Sequence, residues 1–246
     1  MGVEILKNGA NYFQEIPLNN DPNRLSIYKF GRNPNVGATE VIIGGGGIYG
    51  LPETAETVVC ASDEIEDNPT GSGARSIHVF GLDANYKLID EIVNIGESTE
   101  KEYLRIFRAH VETAGTTTPI DGANIGNITI TQDNTAVDMA YISQGDGQTL
   151  VACFTVPAGF TALMWSADTT TGEGKNSTNR VKSKEFGSDF PFRVKGIRDN
   201  FQNTVGIQYK IPNKYEEKTD IVFTAKSSAA GTPVSATFTL ELIKND

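Results

Sequence analysis

The sequence is poor in the residues that carry metal and redox chemistry. Its 246 residues include two cysteines, two histidines, three methionines and one tryptophan. Cys60 and Cys153 sit in apolar or small runs, Val58-Val59-Cys60-Ala61 and Val151-Ala152-Cys153-Phe154. No C-x-x-C spacing exists, which excludes the usual thiol-based zinc and dithiol sites. Both thiols read as free and buried, because an unpaired Cys behaves as a small core hydrophobe. A disulfide would need their Cα atoms within about 7 Å. His78 and His110 fall in separate strand-like segments. They could share a metal only if those strands pair in register and a carboxylate joins them; the simpler expectation is two structural or surface histidines and no metal.

Catalytic spacings are missing as well. There is no H-E-x-x-H and no G-x-S-x-G. Gly44 to Gly47 are followed by Ile48-Tyr49-Gly50-Leu51-Pro52 rather than the Gly-Lys-Ser/Thr of a phosphate loop, so they read as a hinge. The run Asp63-Glu64-Ile65-Glu66-Asp67-Asn68 lacks the alternating ligands and central Gly of a calcium loop and reads as solvated. Any two of the 31 acidic residues could meet at a glycosidase separation, but the lone Trp165 offers little platform for stacking sugars. The expectation is therefore a non-enzyme with no catalytic residue, no cofactor and no metal ligand.

Cationic charge is also short. Lys and Arg total 21 against 31 Asp and Glu, giving a net charge of −10 and a pI near 4.8. Such a chain is repelled by phosphate backbones and anionic membranes, so neither nucleic acid nor membrane is an expected partner. The simplest use of the acidity is solubility. No run of 18 apolar residues is present, so no membrane-crossing helix is expected. No basic stretch leads into an apolar run at Met1-Gly2-Val3-Glu4, so no secretory signal is expected either.

What the sequence does have is a period of two. Val205, Ile207, Tyr209 and Ile211 alternate with Gly206, Gln208 and Lys210. Val234, Ala236, Phe238, Leu240 and Leu242 alternate with Ser235, Thr237, Thr239 and Glu241. This is the pattern of strands with one buried and one wet face. Further strands are expected at 75–80, 86–95, 103–111, 127–132, 136–142, 149–156, 160–167, 180–186, 190–195 and 220–225. Segment 86–95 also fits a helix, but the turn-rich Gly81-Leu82-Asp83-Ala84-Asn85 before it favours a hairpin. Pro157-Ala158-Gly159 supplies the fixed φ and left-handed position of a hairpin joining 149–156 to 160–167. Thr169–Thr178 reads as a polar loop tip. About a dozen strands separated by turns point to an all-β, antiparallel, jelly-roll-like β-sandwich.

Residues 1–50 differ. Asn19-Asn20-Asp21-Pro22, Gly31-Arg32-Asn33-Pro34-Asn35 and the four glycines break up short apolar pieces. The expected division is an extended N-terminal arm, 1–50, and a β-sandwich domain, 51–246. An arm of this composition needs a neighbouring surface to hold it. Arg24, Lys29 and Arg32 cluster in it on either side of Phe30, and these four residues are the candidate interface, suited to an acidic partner surface such as a like subunit.

Several stretches carry a resemblance. They are Phe30-Gly31-Arg32-Asn33-Pro34-Asn35, the Gly-rich run before Leu51-Pro52, Thr70-Gly71-Ser72-Gly73-Ala74-Arg75, Gly81-Leu82-Asp83-Ala84-Asn85-Tyr86, Gly145-Asp146-Gly147-Gln148-Thr149-Leu150, Phe154-Thr155-Val156-Pro157-Ala158-Gly159 and Glu217-Lys218-Thr219-Asp220-Ile221. In this order they resemble virion structural proteins of tailed bacteriophages, over most of residues 28–225 and least over 168–200. None of these motifs is catalytic, so no functional residue carries over. The resemblance implies a capsid decoration (cement) protein on the outer capsid surface of the virion, present in the host cytoplasm during assembly. Its implied partners are like subunits, as a homo-oligomer such as a trimer, and the major capsid protein. The alternatives are a tail or head-fibre component that contacts the host surface, and a carbohydrate-processing enzyme on a β-sandwich.

Overall fold

The computed structural model describes residues 21, 23–115, 124–201 and 204–245. The expectations for residues 1–20 lie outside these. Among the described residues there are fifteen strands, every ladder is antiparallel, and there is no α-helix. In chain order they are β1 (Arg24–Val36), β2 (Val41–Ile42), β3 (Val58–Ser62), β4 (Ala74–Leu82), β5 (Leu88–Asn94), β6 (Arg105–Ala114), β7 (Ile128–Gln132), β8 (Asp138–Ile142), β9 (Cys153–Thr155), β10 (Phe160–Thr171), β11 (Asn176–Lys184), β12 (Arg193–Phe201), β13 (Thr204–Tyr215), β14 (Asp220–Lys226) and β15 (Thr232–Lys244). The chain is an all-β protein of antiparallel sandwich type.

One sandwich packs the sheet β1-β15-β10-β13 against β2-β14-β11-β12, with β9 also paired to β14. The alternation in β15 makes it central. Val234, Ala236, Phe238, Leu240 and Leu242 are all buried, as their period-two spacing requires. Phe238 stacks on Phe223 of the facing sheet with centroids 4.8 Å apart and planes 4° from parallel. Phe154, Val36, Ile43 and Met164 complete this core. A second core lies between β3-β7-β8 and β5-β4-β6, built from Val58, Cys60, Ile77, Tyr103, Ile130 and Met139 among others. All its strands come from the stretch between β2 and β9, so the second unit is an insertion in the first. The sequence reading expected a single sandwich. Apolar alternation reports that a face is buried but not which sheet buries it.

The two units are joined by a buried polar network. Arg105 of β6 donates from Nε and Nη2 to the two carboxylate oxygens of Asp220 on β14, at 2.9 and 3.0 Å. Its Nη1 donates to the carbonyls of Pro52 and Leu104, both at 2.8 Å. Thr155 of β9 donates to Asp220 Oδ1 at 2.5 Å, and Tyr49 donates in turn to Thr155 at 2.9 Å. Burial alone would lower the Arg105 pKa, but the Asp220 carboxylate reverses this and the net direction is up.

Several expectations need correction. Residues 24–50 are not an arm. β1 pairs with β15 from Arg24–Ile243 to Val36–Thr232, β2 pairs with β14, and Val36, Ile43 and Tyr49 are buried. The Gly/Asn composition that suggested fraying serves close approach instead. A Cβ on Gly31 would lie 2.2 Å from the amide nitrogen of Ala152. The turn Pro157-Ala158-Gly159 has its left-handed Gly159, φ 78°, but it is not a hairpin. β9 pairs with β14 while β10 pairs with β15 and β13, so the turn is a corner between facing sheets. Thr169–Thr178 is not a loop tip either. β10 runs to Thr171 and β11 starts at Asn176, and Thr169, Thr171 and Ser177 are buried. In β13, Ile211 is 84% exposed, although the alternation assigned it to the buried face. Asn213 opposes Met164 and Gln208 opposes Ser166, so a bulge of four residues stands against Trp165 alone and turns Ile211 outward. The 86–95 segment is strand, paired with β4 from Leu82–Leu88 to Ser76–Asn94.

Phe154 and Phe238 are 1% and 0% exposed. Truncating either to Ala is expected to cost about 3–5 kcal/mol of unfolding free energy, measured by denaturant titration. A change well under about 1 kcal/mol would contradict the packing of that face.

Candidate interface and histidine pair

The four candidate interface residues are brought onto one strand, β1, which is an edge of its sheet. The strand's alternation then divides them. Tyr28, Phe30 and Arg32 point outward, while Lys29, Gly31 and Asn33 point in and are buried. Tyr28 is 62% and Phe30 36% exposed, with ring centroids 6.0 Å apart. Beside them the outer face continues through Thr239, Thr237 and Ser235 of β15, which oppose Tyr28, Phe30 and Arg32. Arg32 is exposed and makes no ion pair among the described residues. Arg24 is half-buried and engaged, with an ion pair to Glu241 and another to Asp21 at 3.6 Å.

Lys29 is not on the exposed face of β1. It is 9% exposed, and its Nζ donates to the carbonyl of Phe107 on β6. The odd positions Leu25 and Ile27, which pack on the core, already set the inward parity that Lys29 shares. Burial pulls its pKa from 10.5 down to about 8, and nearby Arg108 pushes the same way. The folded value is the lower one. The unfolded chain therefore binds more protons between pH 8 and 10.5, and stability should rise with pH across that window. The penalty is fully present below it. Lys29→Met is expected to flatten this rise, read as urea midpoints on either side of the window; a rise of equal size in the variant would show that Lys29 is not its source.

A second exposed apolar patch was not foreseen. Phe186 and Phe190, each 60% exposed, lead into Val194 and Ile197 on β12. Arg193 lies over the Phe190 ring at 4.4 Å and Lys218 over the Phe186 ring at 4.6 Å. The signal in the sequence is the dense Phe186-Gly187-Ser188-Asp189-Phe190-Pro191-Phe192, three aromatics in a turn-rich stretch with no alternation to bury them. β12 ends its sheet at the side opposite β2, whereas β1 ends the facing sheet at the side opposite β13. β1 and β2 are consecutive in the chain, as are β12 and β13. Val194 and Ile197 thus lie at the edge opposite β1, whereas Phe186 sits at the strand ends with its ring edge-on to Tyr86 of the inserted unit, centroids 5.4 Å apart.

The histidines meet the condition set by the sequence. β4 pairs with β6 so that His78 stands directly opposite His110. Glu112 joins them, with Oε2 3.6 Å from His78 Nδ1 and 3.3 Å from His110 Nε2. Asp90 of β5 takes the other side of His78, its Oδ2 2.9 Å from Nε2. Phe80 stacks against both imidazoles, at 4.0 and 5.5 Å between centroids. The His110 pKa is lowered, first by burial, then by the positive charge of Arg108 and the neighbouring His78, against the raising effect of Glu112.

The remaining polar chemistry is structural. Cys60 and Cys153 are buried free thiols pushed up to about 12 by burial. Asp63 and Asp67 of the acidic run accept backbone amides, Asp63 from Asn127 and Asp67 from Ala74, Ile125 and Gly126. A surface pocket of about 410 Å³ beside Asn176 and Lys226 has one carboxylate in its lining, Asp199, which accepts a hydrogen bond from Thr178 at 2.7 Å. That is not the carboxylate pair of a glycosidase.

No protein-family model matches the chain, and no curated protein matches it. Among solved structures, an alignment to a structure of infectious bursal disease virus, Gt strain, covers 91% of this chain and 82% of that one at 11% identity and a TM-score of 0.13, which is too low to indicate a shared fold.

Proposed function

We propose that this protein is a capsid decoration protein of a tailed-phage virion, which works by contact between neighbouring subunits of the shell. The observation that carries the reading is two separate groups of exposed aromatics, Tyr28 with Phe30 on the edge strand β1 and Phe186 with Phe190 in the connection from β11 to β12. A protein that ties two neighbours together needs two separate contact surfaces. Exposed aromatics flanked by arginine and lysine have the composition of such surfaces before docking. The net charge of −10 suits a protein that must stay soluble before assembly and clear of packaged DNA. The resemblance of the ordered motifs to those of phage virion proteins supports the same reading. Its partners would be like subunits and the major capsid protein.

Quantitative mass spectrometry of purified particles tests the role: hundreds of copies fit decoration. A few copies would replace it with a tail or head-fibre role, and absence would remove both. The surfaces are tested with Tyr28→Ser/Phe30→Ser and Phe186→Ser/Phe190→Ser. Each pair should weaken binding to stripped particles by at least about tenfold, the loss of a modest contact centre. Because these side chains are exposed, unfolding midpoints should stay close to those of the parent. Two pairs that both bind like the parent would remove these patches from the contact.

A further inference from the structure

We propose that His78, His110 and Glu112 form a binding site for a divalent transition-metal ion of the zinc class, with Asp90 holding His78 in the ligating tautomer. The site sits on the outer face of the β5-β4-β6 sheet. It is independent of the contact patches.

The argument begins with hydrogen positions. Asp90 Oδ2 lies 2.9 Å from His78 Nε2, so the proton of a neutral His78 belongs on Nε2. Its lone pair is then on Nδ1, facing the Glu112 carboxylate at 3.6 Å. In that tautomer two acceptors face each other, and either a second ring proton or a metal cation would satisfy both. This is also the arrangement in which a carboxylate orients a metal-bound histidine through its far nitrogen.

His110 points to the same place. Its Nε2 lies 3.3 Å from the same oxygen of Glu112. Its Nδ1 is buried without a hydrogen-bond partner. Glu112 Oε2 favours the proton on Nε2 in the metal-free chain, and ligation through Nε2 shifts it to Nδ1. Among the described residues the two imidazoles are the only basic side chains within ion-pair distance of Asp90 and Glu112.

The spacing fits the ion. A tetrahedral zinc with bonds of about 2.0–2.1 Å keeps its ligand atoms about 3.3–3.4 Å apart. Glu112 Oε2 lies 3.3 and 3.6 Å from the two nitrogens, and the three ligand atoms fall within 4.8 Å of one another. Phe80 stacked on both rings holds them in place. The side chains are partly exposed, so water can supply the fourth ligand.

The test uses the untagged full chain. Its two histidines are the only ones in the sequence, so its imidazole NMR spectrum contains two side chains. Titration with Zn²⁺ should move both sets of signals together and saturate at one equivalent. Co²⁺ should give the visible absorption of a tetrahedral ion and broaden both. Glu112→Gln and His110→Gln should weaken Zn²⁺ binding at least about 100-fold, and Asp90→Asn about 10–100-fold, the range for a group that orients a ligand. Signals that do not move, only one histidine responding, or undiminished binding by Glu112→Gln would each overturn the site. The titration of the unaltered chain decides the question even if a variant fails to fold.

Discussion

Asp220→Ala is expected to lower the unfolding free energy by about 3–5 kcal/mol, the cost of leaving one member of a buried ion pair without its partner. Arg105 would keep its place beneath Tyr86 and among the carbonyls of Pro52 and Leu104, but its charge would be uncompensated. Thr155 would lose its acceptor, and Tyr49 its ordered partner. The pair crosses from the inserted unit to the first sandwich, so the loss should also loosen the junction. Hydrogen exchange should show extra protection lost around β6, β9 and β14. The double variant Arg105→Met/Asp220→Leu should recover a large part of the stability, because well-packed apolar groups can replace a buried pair. If Asp220→Ala costs less than about 1 kcal/mol, the network is not holding the units together.

A chain that begins at residue 51 is expected not to fold cooperatively. Removing residues 24–50 strips β1 from β15 along eleven paired positions and β2 from β14. It also removes the core side chains Val36, Ile43 and Tyr49. Buried aliphatic and aromatic truncations cost about 1–5 kcal/mol each, and the stability of a whole domain is about 5–15 kcal/mol. Circular dichroism with thermal melting checks this directly. A sharp transition near that of the intact chain would restore the picture of a dispensable arm.

The elements were legible where one face is wet. β15 reads correctly from Val234 to Leu242 because every second residue is buried; β6 is a strand as expected, but a register shift against β4 breaks its alternation and buries Ile106 beside Ala109. Pairing was not legible. Nothing local in Phe154–Phe160 says that β9 and β10 lie in different sheets, since a corner and a hairpin use the same Pro and Gly chemistry. The second core was hidden because Ile77 and Val79 alternate in the same way whichever sheet covers them. The parity of the four candidate residues was legible only in part. Phe30 and Arg32 are outward, but grouping by charge placed Lys29 with them although its parity follows Leu25 and Ile27. The meeting of His78, His110 and Glu112 depended on a register that only the fold fixes.

The pairing of β1 with β15 sets an order of events on the ribosome. Arg24 stands opposite Ile243, so the first described strand waits for residues up to Ile243 before its ladder can close. The inserted unit needs no such wait, because all its strand partners lie between β3 and β8. It can complete its pairing while the flanking sandwich is still being synthesised. Until β15 emerges, the apolar stripe of β1 and its open edge are exposed to other nascent chains, a hazard for strand exchange between copies.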